Sequence, residues 1–311
     1  MFTRILVPLD GSRLAEASLG AAAYLAKTLN LAVTLVHVIE HNAPEEIHGE
    51  PHLTSEEDAR VYLDEVARRA FPAGVAVDPH VHTSEVKDVA ASIVNHVQEL
   101  KCDMVVMCTH GQGGLRSWLF GNIAQQVIRL GKTPVLLIEP RSSGEIPAFI
   151  CQRLLVALDG NPDHEQGLPV AIDLARGCQA DIHLVMVVPT RKELSMEQAA
   201  TAMLLPGSTS ALLDLTEAGA REYLSRHVST LSSEGIQTTA EVRRGDPAKT
   251  IIRTARRVGA DLIVLGTHGK TGMDAFWSGS LTPLVSSRSH LPLMLVPVTE
   301  TGTELEQSTL R

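Results

Sequence analysis

The residues around position 266 have the types and the spacing of a phosphate-binding loop. Residues 266–269 read Gly-Thr-His-Gly, and Gly279 and Ser280 follow after nine further residues. Glycines allow an anion to approach the backbone closely, and the free N–H groups and dipole at a helix start favour phosphate. The Ser280 hydroxyl can donate a further hydrogen bond. The alternative is a glycine-rich turn that binds no ligand.

Two aspartates stand where short apolar runs end. Asp10 and Asp159 each follow such a run and each precede a glycine. At the carboxyl end of a parallel strand, this carboxylate can accept hydrogen bonds from a ribose or from an adenine amino group. The alternative is that Asp-Gly forms the turn and caps the next helix. The sequence leaves both roles open.

The segments that carry these residues occur twice in the chain. Three pairs of matching segments keep their order and approximate spacing: 3–12 with 152–161, 103–111 with 261–269, and 134–138 with 292–296. Two whole domains are therefore repeated. We expect repeat 1 at residues 1–140, a polar linker at 141–150, repeat 2 at 151–298 and a flexible tail at 299–311.

Short apolar runs alternate with longer amphipathic runs in both repeats. The predicted strands are 4–9, 32–39, 75–83, 103–108, 134–139, 153–158, 181–188, 236–244, 261–266 and 292–297. The predicted helices are 12–29, 55–71, 86–100, 121–130, 162–178, 210–235, 247–258 and 279–288. This alternation implies right-handed crossovers and a parallel sheet with helices on both faces, which binds ligands at the carboxyl ends of its strands.

Two connections are longer than is usual in such domains. Residues 41–55 and 189–209 follow the second strand of each repeat and contain Pro, Gly and polar residues. They are candidates for lids or partner surfaces, with plain surface loops as the alternative.

Charge and composition exclude several classes of partner. A formal net charge of -9 at pH 7 makes the chain a poor general binder of phosphate backbones, so we do not expect nucleic acid as a partner. The four cysteines form no C-x-x-C pair, which is typical of reduced thiols in the cytosol. No apolar run approaches the ~20 residues that cross a membrane, and the first residues lack a signal-peptide layout. We therefore expect a cytoplasmic protein without a membrane partner.

These motifs together resemble the ATP-binding universal stress proteins of the UspA type. The resemblance rests on the glycine pattern after Asp-Leu-Ile-Val-Leu-Gly at 261–266, on the opening Ile-Leu-Val-Pro-Leu-Asp-Gly-Ser at 5–12, and on Leu-Val-His-Val at 35–38. The closing Pro-Val-Leu-Leu-Ile at 134–138 adds to it, and it covers nearly all of both repeats. It implies an α/β fold of two tandem Rossmann-like domains, adenine nucleotide alpha hydrolase-like, each a five-stranded parallel sheet of order 3-2-1-4-5.

The resemblance also implies which residues would hold a nucleotide in repeat 2. Asp159 would contact the ribose or adenine, Val187 would contact the adenine through its strand backbone, and His268 would lie inside the loop and shape it or face solvent. The phosphates would be cradled by Gly266, Gly269, Gly279 and Ser280. The corresponding weaker candidates in repeat 1 are Asp10, Val38, Gly111, Gly121 and Asn122.

Repeat 1 departs from the family pattern at its phosphate loop. Cys108 replaces the first glycine, and Asn122 replaces the serine or threonine. The side chain of Cys108 narrows the approach and disfavours positive φ, whereas an asparagine amide can still donate to phosphate. Glu85 adds a carboxylate near the expected mouth. We therefore predict tighter nucleotide binding in repeat 2, with repeat 1 weak or empty.

The implied function is a nucleotide-responsive stress or regulatory module that binds ATP, or ADP or AMP, with Mg²⁺. The sequence has no P-loop and no nucleophile elbow, so we expect slow hydrolysis at most. The alternatives are a slow ATPase and a nucleotide-independent interaction module. His80 and His82, two residues apart on one strand, could share a metal, but no cysteine or carboxylate spacing supports that role.

The fifth strands define the expected assembly. Segments 134–139 and 292–297 are apolar and would be exposed edges if left unpaired. The family resemblance suggests that they pair with each other and form an intrachain pseudo-dimer. A homodimer of the whole chain is also compatible with the sequence.

Overall fold

The computed structural model describes residues 1–47, 49–109, 122–141, 145–190, 206–268 and 281–298. Within them the chain forms a large sheet with helices on both faces, and a small two-stranded hairpin. The side chains of Asn122, Asp163, Ser210 and His268, and those of residues 206–208, lie outside the description although their backbones do not.

Repeat 1 contributes five strands to the large sheet. These are β1 (Arg4–Pro8), β2 (Ala32–Glu40), β5 (Val77–Val86), β6 (Met104–Cys108) and β7 (Val135–Ile138). The hairpin consists of β3 (Glu46–Ile47) and β4 (Glu50–Pro51). The helices are α1 (Leu19–Leu29), α2 (Glu56–Ala70), α3 (Val89–Glu99) and α4 (Asn122–Leu130).

Repeat 2 has the same succession of elements. Its strands are β8 (Arg153–Leu158), β9 (Asp181–Val188), β10 (Thr238–Arg244), β11 (Leu262–His268) and β12 (Leu293–Val298). Its helices are α5 (Gly167–Cys178), α6 (Pro206–Ser233), α7 (Pro247–Val258) and α8 (Leu281–Ser286). In both repeats a short 3₁₀ turn precedes the first helix, at Ala15–Ser18 and at Pro162–His164.

The large sheet has the strand order β10-β9-β8-β11-β12-β7-β6-β1-β2-β5. Numbered within its own repeat, each half therefore has the order 3-2-1-4-5. The strands are parallel within each repeat, and the two fifth strands meet antiparallel at the centre, where Leu136 lies opposite Met294. Parallel strands covered on both faces require continuous apolar sequence, which the buried Val, Leu and Ile of these strands supply.

Two apolar layers cover the sheet. On one face, residues such as Val7 and Leu35 pack against α1 and α2, and on the other, Leu6 and Val36 pack against α3 and α4. Each layer continues through the central strands into repeat 2. The strand direction therefore brings the carboxyl ends of β1, β2 and β6, and those of β8, β9 and β11, to one edge within each repeat.

Several boundaries differ from those that the sequence predicts. The helix predicted from residue 12 begins at Leu19, because an Asp-Gly-Ser turn and a 3₁₀ turn come first. The helix predicted from 86 begins at Val89, because β5 continues to Val86 and Asp88 caps the helix by accepting a hydrogen bond from the Ala91 N–H. The helix predicted at 279–288 is α8, whose six residues begin at Leu281. In the described part of the chain, no helix is both long and apolar enough to span a membrane.

Candidate functional site

The turn after the first strand has the same construction in both repeats. The Asp10 Oδ1 accepts hydrogen bonds from the Ser12 N–H at 2.9 Å and from the Ser12 hydroxyl at 2.7 Å. The Asp159 Oδ1 accepts one from the Asn161 N–H at 2.9 Å. The intervening glycines, Gly11 and Gly160, have φ angles of 91° and 84°. Both aspartates therefore stabilise the turn, as in the alternative role that the sequence left open for them.

Repeat 2 adds a histidine to this turn. The Nδ1 of His164 lies 2.5 Å from the Asp159 Oδ2, and its Nε2 lies 3.1 Å from the Asn161 Nδ2. One oxygen of the Asp159 carboxylate therefore contacts a backbone N–H, and the other contacts an imidazole. Repeat 1 has Ala15 at the position of His164, so this contact belongs to repeat 2 alone.

The strand register brings two candidate residues of repeat 2, together with Thr267, to one level of the sheet. Ala157 lies opposite Leu265 on one side and Val185 on the other. Asp159, Thr267 and Val187 each follow two residues later, so they share the carboxyl edge. Gly266 lies one residue before that level. In repeat 1, Asp10, two residues after the end of β1, and Val38 of β2 occupy the corresponding positions.

The prediction that His268 lies inside a loop is wrong. β11 continues to His268, because its backbone pairs with Val298 of β12, and Thr267 pairs with Pro297. Gly266 is likewise a strand residue, two positions before the end of the strand. The extension was not predicted because a glycine and a histidine at the end of an apolar run weaken the strand pattern.

Gly266 has a packing role that its position in the motif did not reveal. A Cβ built on Gly266 would lie 3.1 Å from the His164 carbonyl oxygen and 3.2 Å from the Val298 Cγ2. Few real Cβ atoms have contacts this short. The absence of a side chain therefore lets β11 pass beneath the turn that carries His164 and Asp159. In repeat 1, Cys108 ends β6 at the same place.

The remaining candidates of the glycine pattern lie outside the described residues. They are Gly269, Gly279 and Ser280 in repeat 2, and Gly111 and Gly121 in repeat 1. Asn122 is the first residue of α4, but its side chain is not described.

Each repeat also contains a glutamate–tyrosine pair beside the first turn, which the sequence analysis missed. The Tyr223 hydroxyl donates to the Glu165 Oε1 at 2.5 Å, and the His227 Nε2 lies 3.4 Å from the same oxygen. In repeat 1 the Tyr62 hydroxyl donates to Glu16 at 3.1 Å, and Arg69 pairs with Glu16. The signal was present, since each glutamate stands six residues after the turn aspartate.

Burial and the neighbouring carboxylates perturb both tyrosines. The pKa of Tyr223 is raised by burial first and then by its hydrogen bond to Glu165. The pKa of Tyr62 is raised by burial and by the charge of Glu16. Both phenols therefore stay protonated and act as donors, which fixes α2 and α6 beside the turn of the first strand.

The carboxylate expected near the repeat 1 mouth is already paired. The Glu85 Oε2 lies 2.6 Å from the His41 Nδ1.

The histidines His80 and His82 both approach His96 of α3, with ring centroids 4.9 Å apart in each pair. Over the described ranges, no group of three His, Cys, Asp or Glu side chains is arranged to hold a metal ion.

Known proteins resemble the chain over most of its length. A family model described as the universal stress protein family matches residues 1–139 and again residues 151–297. A universal stress protein of Mycobacterium tuberculosis is 23% identical over 298 residues, which covers 94% of this chain and 96% of the relative. One from Methanocaldococcus jannaschii is 26% identical over 145 residues, 47% of this chain and 81% of the relative.

Solved structures share the fold. The crystal structure of a universal stress protein from Archaeoglobus fulgidus covers 96% of this chain and 97% of that chain, with a TM-score of 0.68 at 18% identity. Two shorter universal stress protein structures, one in complex with cAMP and one in complex with dAMP, cover 48% and 49% of the chain with TM-scores of 0.35 and 0.32. Since the family model accounts for both repeats, the chain belongs to the universal stress protein family.

Proposed function

We propose that repeat 2 binds an adenine nucleotide at the carboxyl edge of its strands. The observation that carries this proposal is the register, which aligns Asp159, Thr267 and Val187 at one level, with Gly266 one residue before it. In open α/β sheets this edge is the usual ligand site. Residues 269–280, with Gly269, Gly279 and Ser280, continue directly from β11 and precede α8, so they supply the phosphate-binding part.

The proposed roles follow from the chemistry of each group. The backbone of Val187 recognises the adenine edge, and the Asp159 carboxylate accepts from a ribose hydroxyl or the adenine amino group. Gly269 and Gly279 hold the phosphates through their N–H groups, and Ser280 contributes its hydroxyl. We propose ATP as the ligand, with ADP and AMP as weaker ones. Mg²⁺ would accompany the phosphates, and we assign no protein ligand to it.

Repeat 1 is proposed to bind nucleotide weakly or not at all. Cys108 places a side chain at the end of β6, where repeat 2 has Gly266. The repeat 1 candidates for these weaker contacts are Gly111, Gly121 and Asn122 toward the phosphates and Asp10 and Val38 toward the base.

We propose a regulatory role in the stress response, in which nucleotide occupancy changes the surface that repeat 2 presents in the cytoplasm. No catalytic residue is assigned. Slow ATP hydrolysis is the second candidate, and substituting Ser280 by Ala should then abolish turnover. A nucleotide-independent interaction module is the third candidate, and protein purified without added nucleotide would then carry no adenine absorbance.

The proposed organisation has two domains, at 1–140 and 151–298, joined by a linker at 141–150 and followed by a tail at 299–311. The antiparallel pairing of β7 with β12 supports an intrachain pseudo-dimer of these domains. A homodimer of the whole chain would need a further surface, because the fifth strands already pair with each other.

The test compares two matched glycines. Gly279→Ala changes the repeat 2 loop, and Gly121→Ala makes the same change in repeat 1. Calorimetric titration of ATP into the full chain should give about one equivalent for the unmodified protein. The Gly279→Ala variant should bind at least about 10-fold more weakly, roughly 1.4 kcal/mol, while Gly121→Ala binds as the unmodified protein does.

Two outcomes would contradict this assignment. Equal weakening by both substitutions would place the nucleotide elsewhere, and unweakened binding by Gly279→Ala would remove the loop from the site. Hydrogen exchange gives an independent measurement, since saturating ATP should protect residues 266–280. Unchanged protection at saturation would refute the proposed site.

A further inference from the structure

A segment of repeat 1 lies across the turn at the end of its first strand. The segment is residues 49–53, Gly-Glu-Pro-His-Leu, which we call the strap. A Cβ built on Gly11 would lie 2.9 Å from both the Cγ and the Cδ1 of Leu53. The leucine side chain therefore rests directly on Gly11, the residue after Asp10.

A buried histidine lies between the first strand and the end of the strap. His37 is 1% exposed, its Nδ1 lies 2.8 Å from the Leu9 carbonyl oxygen, and its Nε2 lies 2.9 Å from the Leu53 carbonyl oxygen. Leu9 precedes Asp10, and Val38 follows His37. Leu53 thus contacts Gly11, the neighbour of Asp10, and His37, the neighbour of Val38. Asp10 and Val38 are the two residues that would form the base side of a repeat 1 site.

A carboxylate near the start of the strap contacts Arg13. The Glu50 Oε2 accepts a hydrogen bond from the Arg13 N–H at 2.6 Å, and the Glu50 Oε1 lies 3.3 Å from the Arg13 Nε. Glu50 is also paired in β4 with Ile47 of β3, so the strap is fixed at its start as well. The Arg13 N–H, between the first turn and α1, therefore already donates to an anionic group.

Repeat 2 has a different group at the corresponding place. Met186 occupies the strand position of His37, and a Cβ built on Gly160 would lie 2.7 Å from the Met186 Cε. A methionine has no N–H with which to anchor a carbonyl oxygen, and its unbranched chain changes rotamer easily. Among the described residues, the group over Gly160 is therefore the end of a flexible side chain, whereas the group over Gly11 belongs to a strap whose Glu50 is paired with Arg13.

We propose that the strap closes the base side of the repeat 1 site, and that Leu53 determines which of the two repeats accepts an adenine nucleotide. The proposal rests on the proposed function of repeat 2. Cys108 belongs to the phosphate side of the repeat 1 site, whereas this proposal assigns the selectivity between the two repeats to its base side. Restoring the phosphate loop of repeat 1 should then be insufficient for binding.

The experiment uses the full chain with Cys108→Gly and Asn122→Ser, which give repeat 1 the loop residues of repeat 2. ATP titration of this chain should still give about one equivalent. Adding Leu53→Ala and Glu50→Gln should raise the stoichiometry to about two, whereas Leu53→Ile, which keeps the side-chain volume, should leave it at about one. Photolabelling with 8-azido-ATP and peptide mapping should place the second nucleotide in repeat 1.

A second readout does not depend on nucleotide. Without ligand, Leu53→Ala with Glu50→Gln should raise the hydrogen-exchange rate of the Arg13 amide at least about 10-fold, and Leu53→Ile should not. Two equivalents with the strap intact, or one equivalent after its release, would overturn the proposal, as would an unchanged Arg13 amide. Absence of ATP binding by every variant, with faster Arg13 exchange, would instead refute the nucleotide site and leave the strap contact standing.

Discussion

Gly266 illustrates how one residue can satisfy a motif and a packing requirement together. The motif assigns it to phosphate binding, but the structure places it within β11 beneath the His164 carbonyl. The close approach of two backbones requires a glycine whether or not a ligand binds. A substitution there is therefore expected to change stability before it changes affinity.

We predict that Gly266→Ala lowers the free energy of unfolding by about 1–3 kcal/mol, because the new Cβ forces backbone or Val298 to shift. Urea denaturation without nucleotide measures this effect. Gly219→Ala is the control, since Gly219 lies in α6 with open space around its Cβ and should gain up to about 1 kcal/mol. Equal effects of the two substitutions would contradict the packing role.

The pKa of His80, on the edge strand β5 of repeat 1, is a second feature at the scale of single residues. Burial, and then the charge of His96, lower the pKa of His80 below its ordinary value of 6.5. His82 acts in the same direction, while Asp78 and Glu99 oppose it. The folded protein therefore binds a proton at His80 less readily than the unfolded chain does.

This difference gives the sign of a pH effect. The stabilising contribution of neutral His80 is complete above about pH 6.5 and is lost as the pH falls below that value, where the unfolded chain takes up the proton. Replacing His80 by Gln should therefore reduce the loss of stability between pH 7 and pH 5. Urea denaturation of both proteins at several pH values measures it, and parallel pH profiles would exclude the effect.

At the scale of elements, α7 shows how local sequence fixes a helix. Asp246 caps it by accepting a hydrogen bond from the Lys249 N–H at 2.8 Å, Pro247 occupies its first turn, and Gly259 ends it with a φ angle of 65°. These signals lie within the element, so the sequence predicts the same bounds that the structure shows.

We predict that Asp246→Ala destabilises repeat 2 by about 1 kcal/mol through the loss of this cap, while Asp246→Asn retains most of the stability. The thermal midpoint of the full chain would report the loss. Hydrogen exchange should localise the change to the first turn of α7. If alanine and asparagine gave the same midpoint, the cap would contribute nothing.

Elements whose ends depend on distant partners were predicted less well. The sequence predicts strands at 75–83 and 261–266, but the structure extends them to Val86 and His268. Val86 pairs with Glu40, and His268 pairs with Val298. These pairings join residues far apart in the chain, and neither end has an apolar pattern that would reveal them.

The whole molecule is held together by more than its central strand pair. Tyr24 of α1 makes an edge contact with Phe149 of the linker, with ring centroids 5.4 Å apart. The N-terminal amine lies 2.8 Å from Asp173 of α5. Gly20 of α1 faces the Pro147 carbonyl oxygen, which would lie 2.6 Å from an added Cβ. Residues 146–149 are therefore packed against α1.

We predict that Gly20→Ala detaches this part of the linker, because a backbone carbonyl cannot move aside as a side chain can. The variant should lose about 1–3 kcal/mol of stability although alanine favours a helix. Limited proteolysis should cleave the variant faster within residues 141–150. Unaltered cleavage, with the stability gain expected of Gly219→Ala, would show that the contact is unimportant.

The sequence by itself determined the features that repeat or have a period. The duplicated segments predicted two α/β units, apolar runs placed nearly every strand, and the end of each first strand identified the edge where Asp10 and Asp159 lie. These features are readable because burial on both faces of a parallel sheet demands apolar residues at successive positions.

Only the tertiary structure decided which groups meet at that edge. The contacts of Leu53 with Gly11, of His164 with Asp159 and of Tyr223 with Glu165 join residues from loops and helices whose sequences have no common period. Such contacts depend on the path of the chain between elements, which local propensity does not encode. The sequence therefore shows where the two repeats differ in residue type, whereas the contacts that those residues make follow from the packing of distant segments.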